Sequence, residues 1–203
     1  ANFDDFLDQL TSRKRKQIRK ERRAVSDKNL VIRALTGPEI KERHWDSFFN
    51  FYLSTTDKKW GSSYLTRPFF SMLGERMGDQ VVLIIVEDAG NLVAGALNLK
   101  SDDTLYGRNW GCLENYKFLH FEACYYKAID YAIEHGLMRV EAGAQGPHKI
   151  QRGYLPSPTY SAHWINHPGL KEAIEGFLDQ ERLAIELEMQ SLTQHSPFKN
   201  TKD

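Results

Sequence analysis

Apolar residues recur along this chain with two different periods, and the changes of period mark its elements. Phe3, Phe6, Leu7, Leu10 and Ile18 keep helical spacing, so the chain opens with a helix carrying a thin apolar stripe. Leu30 to Leu35 alternates like a strand and stops at Thr36-Gly37-Pro38. Trp45, Phe48, Phe49, Tyr52 and Leu53 then share one helical face. After a turn at Trp60-Gly61-Ser62-Ser63, Thr66 is placed to cap a second helix, with Pro68 in its first turn and Gly78 beyond its end.

The period then shortens. Gln80 to Glu87 is a continuous apolar strand, Asp88-Ala89-Gly90-Asn91 a hairpin turn, and Leu92 to Lys100 the returning strand. A turn at Ser101-Asp102-Asp103 leads into a strand over Thr104 to Cys112. Helical spacing resumes from Phe118 to His135 and closes at Gly136. Leu137 to Ala144 predicts a strand, Gln145 to Pro158 an irregular loop, and Thr159 to Ile165 a last strand. Leu170, Ile174, Phe177, Leu178, Ile185, Met189 and Leu192 give a long terminal amphipathic helix. Helices flanking a mixed central sheet satisfy this order, an α/β (mixed α+β) fold.

Composition narrows the class. The 203 residues are 41% apolar, 27% charged and 12% aromatic, which excludes a disordered chain. The longest apolar stretches fall far short of the roughly 20 residues that span a bilayer. Cys112 and Cys124 are too few for a disulfide framework and read as reduced thiols in a cytoplasmic protein. The chain opens Ala-Asn without signal-peptide character, in the manner of a piece cut from something longer.

Net charge is zero, with 27 basic and 27 acidic residues, yet the charge is unevenly spread. Arg13, Lys14, Arg15, Lys16, Arg19, Lys20, Arg22 and Arg23 face the single acid Glu21. Such a run is either a nucleic-acid or phosphate patch or the solvated side of a packed helix. Acids dominate the terminal helix instead, through Glu172, Glu175, Asp179, Glu181, Glu186 and Glu188.

Four segments carry candidate chemistry. Alternation over Thr104 to Cys112 places Tyr106, Arg108 and Trp110 on one face, an aromatic-flanked guanidinium able to hold a carboxylate or phosphate. Glu122 shares the stripe of Phe118, Tyr125, Ile129 and Ala132. A carboxylate on an apolar face is either a site group or a neighbour of the helix dipole, and His120 points elsewhere, so the two make no metal pair. Glu141 to Lys149, with Gln145, His148 and Lys149, runs on to Arg152 from the carboxyl end of a strand, where α/β sheets place ligands. Its glycines and cations suit an anion, and His148 titrates near neutrality. Thr159, Ser161 and His163 share one face of the last strand as a hydrogen-bonding strip. Neither Ser161 nor Cys124 has the partners of a catalytic nucleophile.

Leu105-Tyr106-Gly107-Arg108-Asn109-Trp110-Gly111, Leu119-His120-Phe121-Glu122, Glu141-Ala142-Gly143-Ala144-Gln145-Gly146-Pro147-His148-Lys149 and Arg152-Gly153-Tyr154-Leu155-Pro156 together resemble the FemAB-like family. These are predicted N-acyltransferases of peptidoglycan biosynthesis/recognition within the GNAT superfamily. Ser12 to Lys20 and Ser196-Pro197-Phe198-Lys199 extend the resemblance to nearly the whole chain. It implies a GNAT-like fold and a tandem of two such halves, of which this chain is the second, partnered by the N-terminal half of the same protein. A lead-in helix over 1–28 would precede the acyltransferase domain over 29–203.

Acyl or aminoacyl transfer to an amine of a cell-wall precursor is the activity so implied. Glu141, His148 or Glu122 would be the base, and Lys149, Arg152 and Arg108 the anion contacts. Tyr106, Trp110, His120, Gln145, Thr159, Ser161 and His163 would line the acceptor cleft. The donor would be acyl-CoA or an aminoacyl-tRNA, the latter meeting Arg13, Lys14, Lys16, Arg19 and Lys20. GNAT acyl-CoA enzymes carry a glycine-rich pyrophosphate loop after the fourth strand, whereas Cys112 to Phe118 here has no glycine. The alternative is a non-catalytic module that binds a peptidoglycan precursor or tRNA.

Overall fold

A computed structural model describes residues 1–57, 63–143 and 146–199. They form two compact units, 1–144 and 145–203.

The first unit is a five-stranded sheet in the order β1-β2-β3-β4-β5, with strands Val31–Thr36, Val81–Asp88, Asn91–Lys100, Thr104–Cys112 and Arg139–Glu141. The first four run antiparallel and β5 joins β4 in parallel. The unbroken apolar run of β2 follows from its place in the sheet, because both of its faces are covered. Leu83 and Ile85 pack with Leu35, Trp45, Phe48, Phe51 and Phe70, beneath α3 (Glu42–Asp57) and α4 (Arg67–Met77). Ile84 and Val86 pack on the opposite face with Val25, Ala96, Leu119 and Ala123. The β2–β3 turn puts Ala89 (φ 47°) and Gly90 (φ 83°) in left-handed conformations, as a two-residue hairpin requires.

On that opposite face lie α2 (Ser12–Ser26), after the short α1 (Phe3–Asp8), and one helix in three parts. It begins as α5 (Leu119–Phe121), widens into a π turn over Glu122–Tyr126 and continues as α6 (Lys127–Glu134). Gly136 closes it at φ 68°. No helix among the described residues is long and apolar enough to cross a membrane.

The second unit holds the short α7 (Pro147–Ile150) and the 26-residue α8 (Pro168–Thr193), whose N-terminus is capped by His167. Three expectations change, the first being that α7 lies within the stretch expected as an irregular loop over Gln145 to Pro158. β5 ends at Glu141 rather than near residue 144. The strand expected over Thr159–Ile165 is absent: the segment makes no ladder, and Tyr160 and Trp164 are about nine-tenths exposed, at 92% and 90%. Alternation there records extended backbone without a neighbouring strand, and Pro156 and Pro158 have already removed two donors.

Candidate functional site

The site-bearing strand is β4, and a bulge sets which way its side chains point. Leu97 pairs with Asn109 while Asn98 pairs with Gly107, leaving Arg108 as the extra residue. That insertion reverses the alternation. Tyr106 lies opposite Leu99 and Asn109 opposite Leu97, toward α3 and α4, whereas Trp110 lies opposite Ala96 and packs on the other face. The expectation that Tyr106, Arg108 and Trp110 share a face is therefore corrected. Arg108 is exposed and donates to the Tyr64 hydroxyl at 3.1 Å, and Tyr64 in turn donates its backbone N–H to the Tyr52 hydroxyl at 3.2 Å. Trp110 joins a ring cluster with His120, 5.5 Å away, which itself lies 5.3 Å from Tyr125.

Only three register pairs join β4 to β5: Thr104–Arg139, Leu105–Val140 and Tyr106–Glu141. The chain then leaves the sheet. A side chain at Gly107 would come within 3.3 Å of the Glu141 carbonyl oxygen, and Gly143 turns at φ 72°. Beyond Tyr106, no strand among the described residues pairs with the edge of β4 that β5 would have covered. Every second amide of an antiparallel strand faces away from its partner, so alternate amides over residues 108–112 are directed toward that edge. On the α3–α4 face, Asn109 Oδ1 is buried with no hydrogen-bond partner. On the α3 side the approach is tight: a side chain at Gly111 would lie 2.0 Å from the Phe51 carbonyl oxygen. The Ser54 hydroxyl donates to the Cys112 carbonyl at 3.2 Å.

The loop that follows β4 is closed by side chains. Phe118 holds φ 67°, a conformation glycine adopts at less cost, and its ring stacks on Phe121 with the Lys117 ammonium 5.1 Å from its centre. The Tyr116 hydroxyl donates to Asp88 at 2.8 Å, which holds the phenol's proton well above its usual range.

Glu122 is buried on the face carrying α2. Arg22 donates to Glu122 Oε1 at 3.0 Å and to Asp130 Oδ2 at 2.6 Å, while Glu122 Oε2 is buried without a partner. Burial raises the Glu122 pKa, with Arg22 opposing it. Beside it, Tyr126 donates to the buried Glu21, which also accepts from Gln17 at 3.0 Å. The basic run is thus partly internal. Arg22 joins α2 to the π helix, Arg15 pairs with Asp8 at 2.7 Å and Arg19 with Asp4 at 2.9 Å, while Arg13, Lys16 and Lys20 are exposed and Lys14 half-buried. Asp130 was missed in the sequence, although it lies eight residues after Glu122 on the same helical face.

In the second unit, Gly146 holds φ 106°, and a side chain there would come within 2.7 Å of the His148 ring. Arg152 is buried and donates to the His148 carbonyl at 2.8 Å. Burial first, then Arg152 and Lys149, push the His148 pKa down. Thr159, Ser161 and His163 are exposed, with His163 Nε2 and Ser161 Oγ 2.9 Å apart. Gln145 lies outside the described residues. Among the described residues no group of three or more His, Cys, Asp or Glu could hold a metal ion.

The fold is one that solved acetyltransferases share. A probable acetyltransferase superposes with a TM-score of 0.50 at 13% identity, over 68% of this chain and 98% of its own. A ribosomal-protein-alanine N-acetyltransferase from Brucella melitensis biovar Abortus 2308 gives 0.46 at 13% identity, over 68% and 99%. An aminoglycoside acetyltransferase from an uncultured soil metagenomic sample, in complex with sisomicin, gives 0.47 at 14% identity, over 70% and 97%. Among curated protein sequences nothing matches. The model of the FemAB-like family, described as peptidoglycan biosynthesis/recognition, matches residues 1–200, and the chain belongs to that family.

Proposed function

We propose that the protein transfers an acyl or aminoacyl group to an amine of a peptidoglycan precursor, with the donor lying along the β4 edge that β5 leaves uncovered. The observation that carries this reading is the three-residue pairing of β4 with β5, beyond which no strand among the described residues pairs with that edge of β4. In the reaction the amine nitrogen attacks the donor carbonyl and a C–N bond forms. The carbonyl oxygen gains negative charge, which the outward amides of residues 108–112 are suited to stabilise. The C–S bond of a thioester or the C–O bond of an aminoacyl ester then breaks, and the leaving group takes up a proton.

A base must remove the proton from the attacking amine. Glu141, at the end of β5, is the candidate in the first unit, and His148 is the candidate that the second unit carries. The lowered pKa of His148 keeps its imidazole neutral, and so able to accept a proton, at pH 7. Glu122 is a weaker candidate because Arg22 already occupies one of its oxygens.

The loop Cys112–Phe118 bears on the donor. Where a pyrophosphate cradle needs open backbone amides, this loop presents Phe118 stacked on Phe121 and Tyr116 tied to Asp88. That favours an aminoacyl ester over acyl-CoA, with the exposed Arg13, Lys16 and Lys20 available to a nucleic-acid carrier. The test offers acetyl-CoA and aminoacyl-tRNA in parallel with a lysine-containing precursor peptide and follows the new amide by mass spectrometry. Amide formation from one donor, reduced at least about 100-fold by Glu141→Gln or His148→Ala, supports the reading. Precursor binding without transfer from either donor would leave a recognition module instead.

A further inference from the structure

Away from the β4 edge, the face carrying α2 holds a hollow of about 350 Å³, within the size range of small-molecule sites. Its walls come from the end of α2, the residues leading into and beginning β1, the π turn and the first residue of α6, all in the first unit. Its two sides differ in chemistry. Val25, Leu30 and Ile32 supply an apolar side, while Arg22, Arg23, Lys127 and Glu122 supply the polar one.

The charges there do not cancel. Arg22 is engaged by Glu122 and Asp130, and Lys127 lies 3.6 Å from the same Asp130. Arg23 is exposed and has no carboxylate partner among the described residues. Three cations against two carboxylates leave one positive charge beside an apolar wall. A single negative charge balances that surplus, whereas a dianion would meet the buried Glu122 with excess charge of like sign. A guanidinium matches a carboxylate through two parallel N–H donors.

We propose that this hollow binds a small organic monocarboxylate, its carboxylate on Arg23 and Lys127 and its short apolar body against Val25, Leu30 and Ile32. Occupancy ties α2 to β1 and so stabilises the lead-in helix on the sheet. The hollow shares Glu122, the weaker of the base candidates, but its binding of a carboxylate does not require the transfer reaction.

The experiment titrates the protein with acetate, butyrate, butylammonium and inorganic phosphate at fixed ionic strength, following amide shifts by NMR and thermal unfolding. Butyrate is expected to saturate with shifts at residues 22–32 and 122–127, and to bind about tenfold more tightly than acetate because two more methylenes are buried. Arg23→Gln, at an exposed position, is expected to remove binding without loss of fold. Leu30→Asn is expected to abolish the preference for butyrate while acetate still binds. The proposal is overturned if no carboxylate saturates, if phosphate or butylammonium matches butyrate, or if Arg23→Gln binds as well as the parent chain.

Discussion

The two faces of the sheet are built from different materials. Beneath α3 and α4 the contacts are rings and aliphatic chains: Phe70 is fully buried and meets Phe48 at 5.5 Å and Trp45 at 6.1 Å between ring centres. Beneath α2 and the π helix, the apolar layer of Val25, Ile84 and Ala123 is bordered by buried charge. There Glu21, Glu122 and Asp130 meet Arg22, Gln17 and Tyr126. Apolar contact is non-directional, whereas a buried ion pair holds only when every partner is present. The α2 face is therefore the more specific of the two, and the more easily broken by a single charge change.

Phe70→Ala is expected to cost the most, about 4 kcal/mol, because the cavity lies amid rings that cannot collapse into it. Chemical denaturation measures it. Arg22→Ala should cost about 3 kcal/mol by leaving two carboxylates without their cation. Replacing all three charged groups, as Arg22→Met with Glu122→Gln and Asp130→Asn, should recover most of that loss. If the triple replacement is no better than Arg22→Ala, the ion-pair account of this face fails. Tyr126→Phe should cost about 1–2 kcal/mol, since buried Glu21 loses a donor and keeps Gln17.

A pH effect separates the faces further. Burial raises the Glu122 pKa, so the folded protein binds this proton more tightly than the unfolded chain does. That contribution to stability is complete below the ordinary value of 4.5 and is lost as pH rises through the raised one. Glu122→Gln should remove this part of the pH dependence, which denaturation across that window would show. The smallest effect is expected at Thr66→Ala, within about 0.5 kcal/mol, because Thr66 makes no side-chain capping bond.

How much of this was legible in the sequence follows the same division. Helical stripes and the apolar run of β2 mark the α3–α4 face, because burial on one side leaves a period. The α2 face is harder to read. Glu122 shows itself by standing in an apolar stripe, but its partner Arg22 lies 100 residues away and looks like one cation among many. Gly107 and Gly111 permit a bulge but do not show where it falls, so the expectation that Trp110 joins Tyr106 follows from the alternation and fails in the fold. The missing strand at Thr159–Ile165 fails for a related reason: a local period shows extended backbone, and only a neighbour makes it a strand. The candidate residues themselves, Glu141, Arg108 and His148, were visible as residue types. The open β4 edge was not, because it depends on where β5 stops.

Hydrogen exchange by mass spectrometry, with and without a non-reactive aminoacyl-ester analogue, addresses that edge directly. The donor, if it lies along β4, slows exchange at residues 107–112 and leaves the edge of β1 at residues 31–36 unchanged. An analogue that binds with no protection at 107–112 would contradict the placement of the donor.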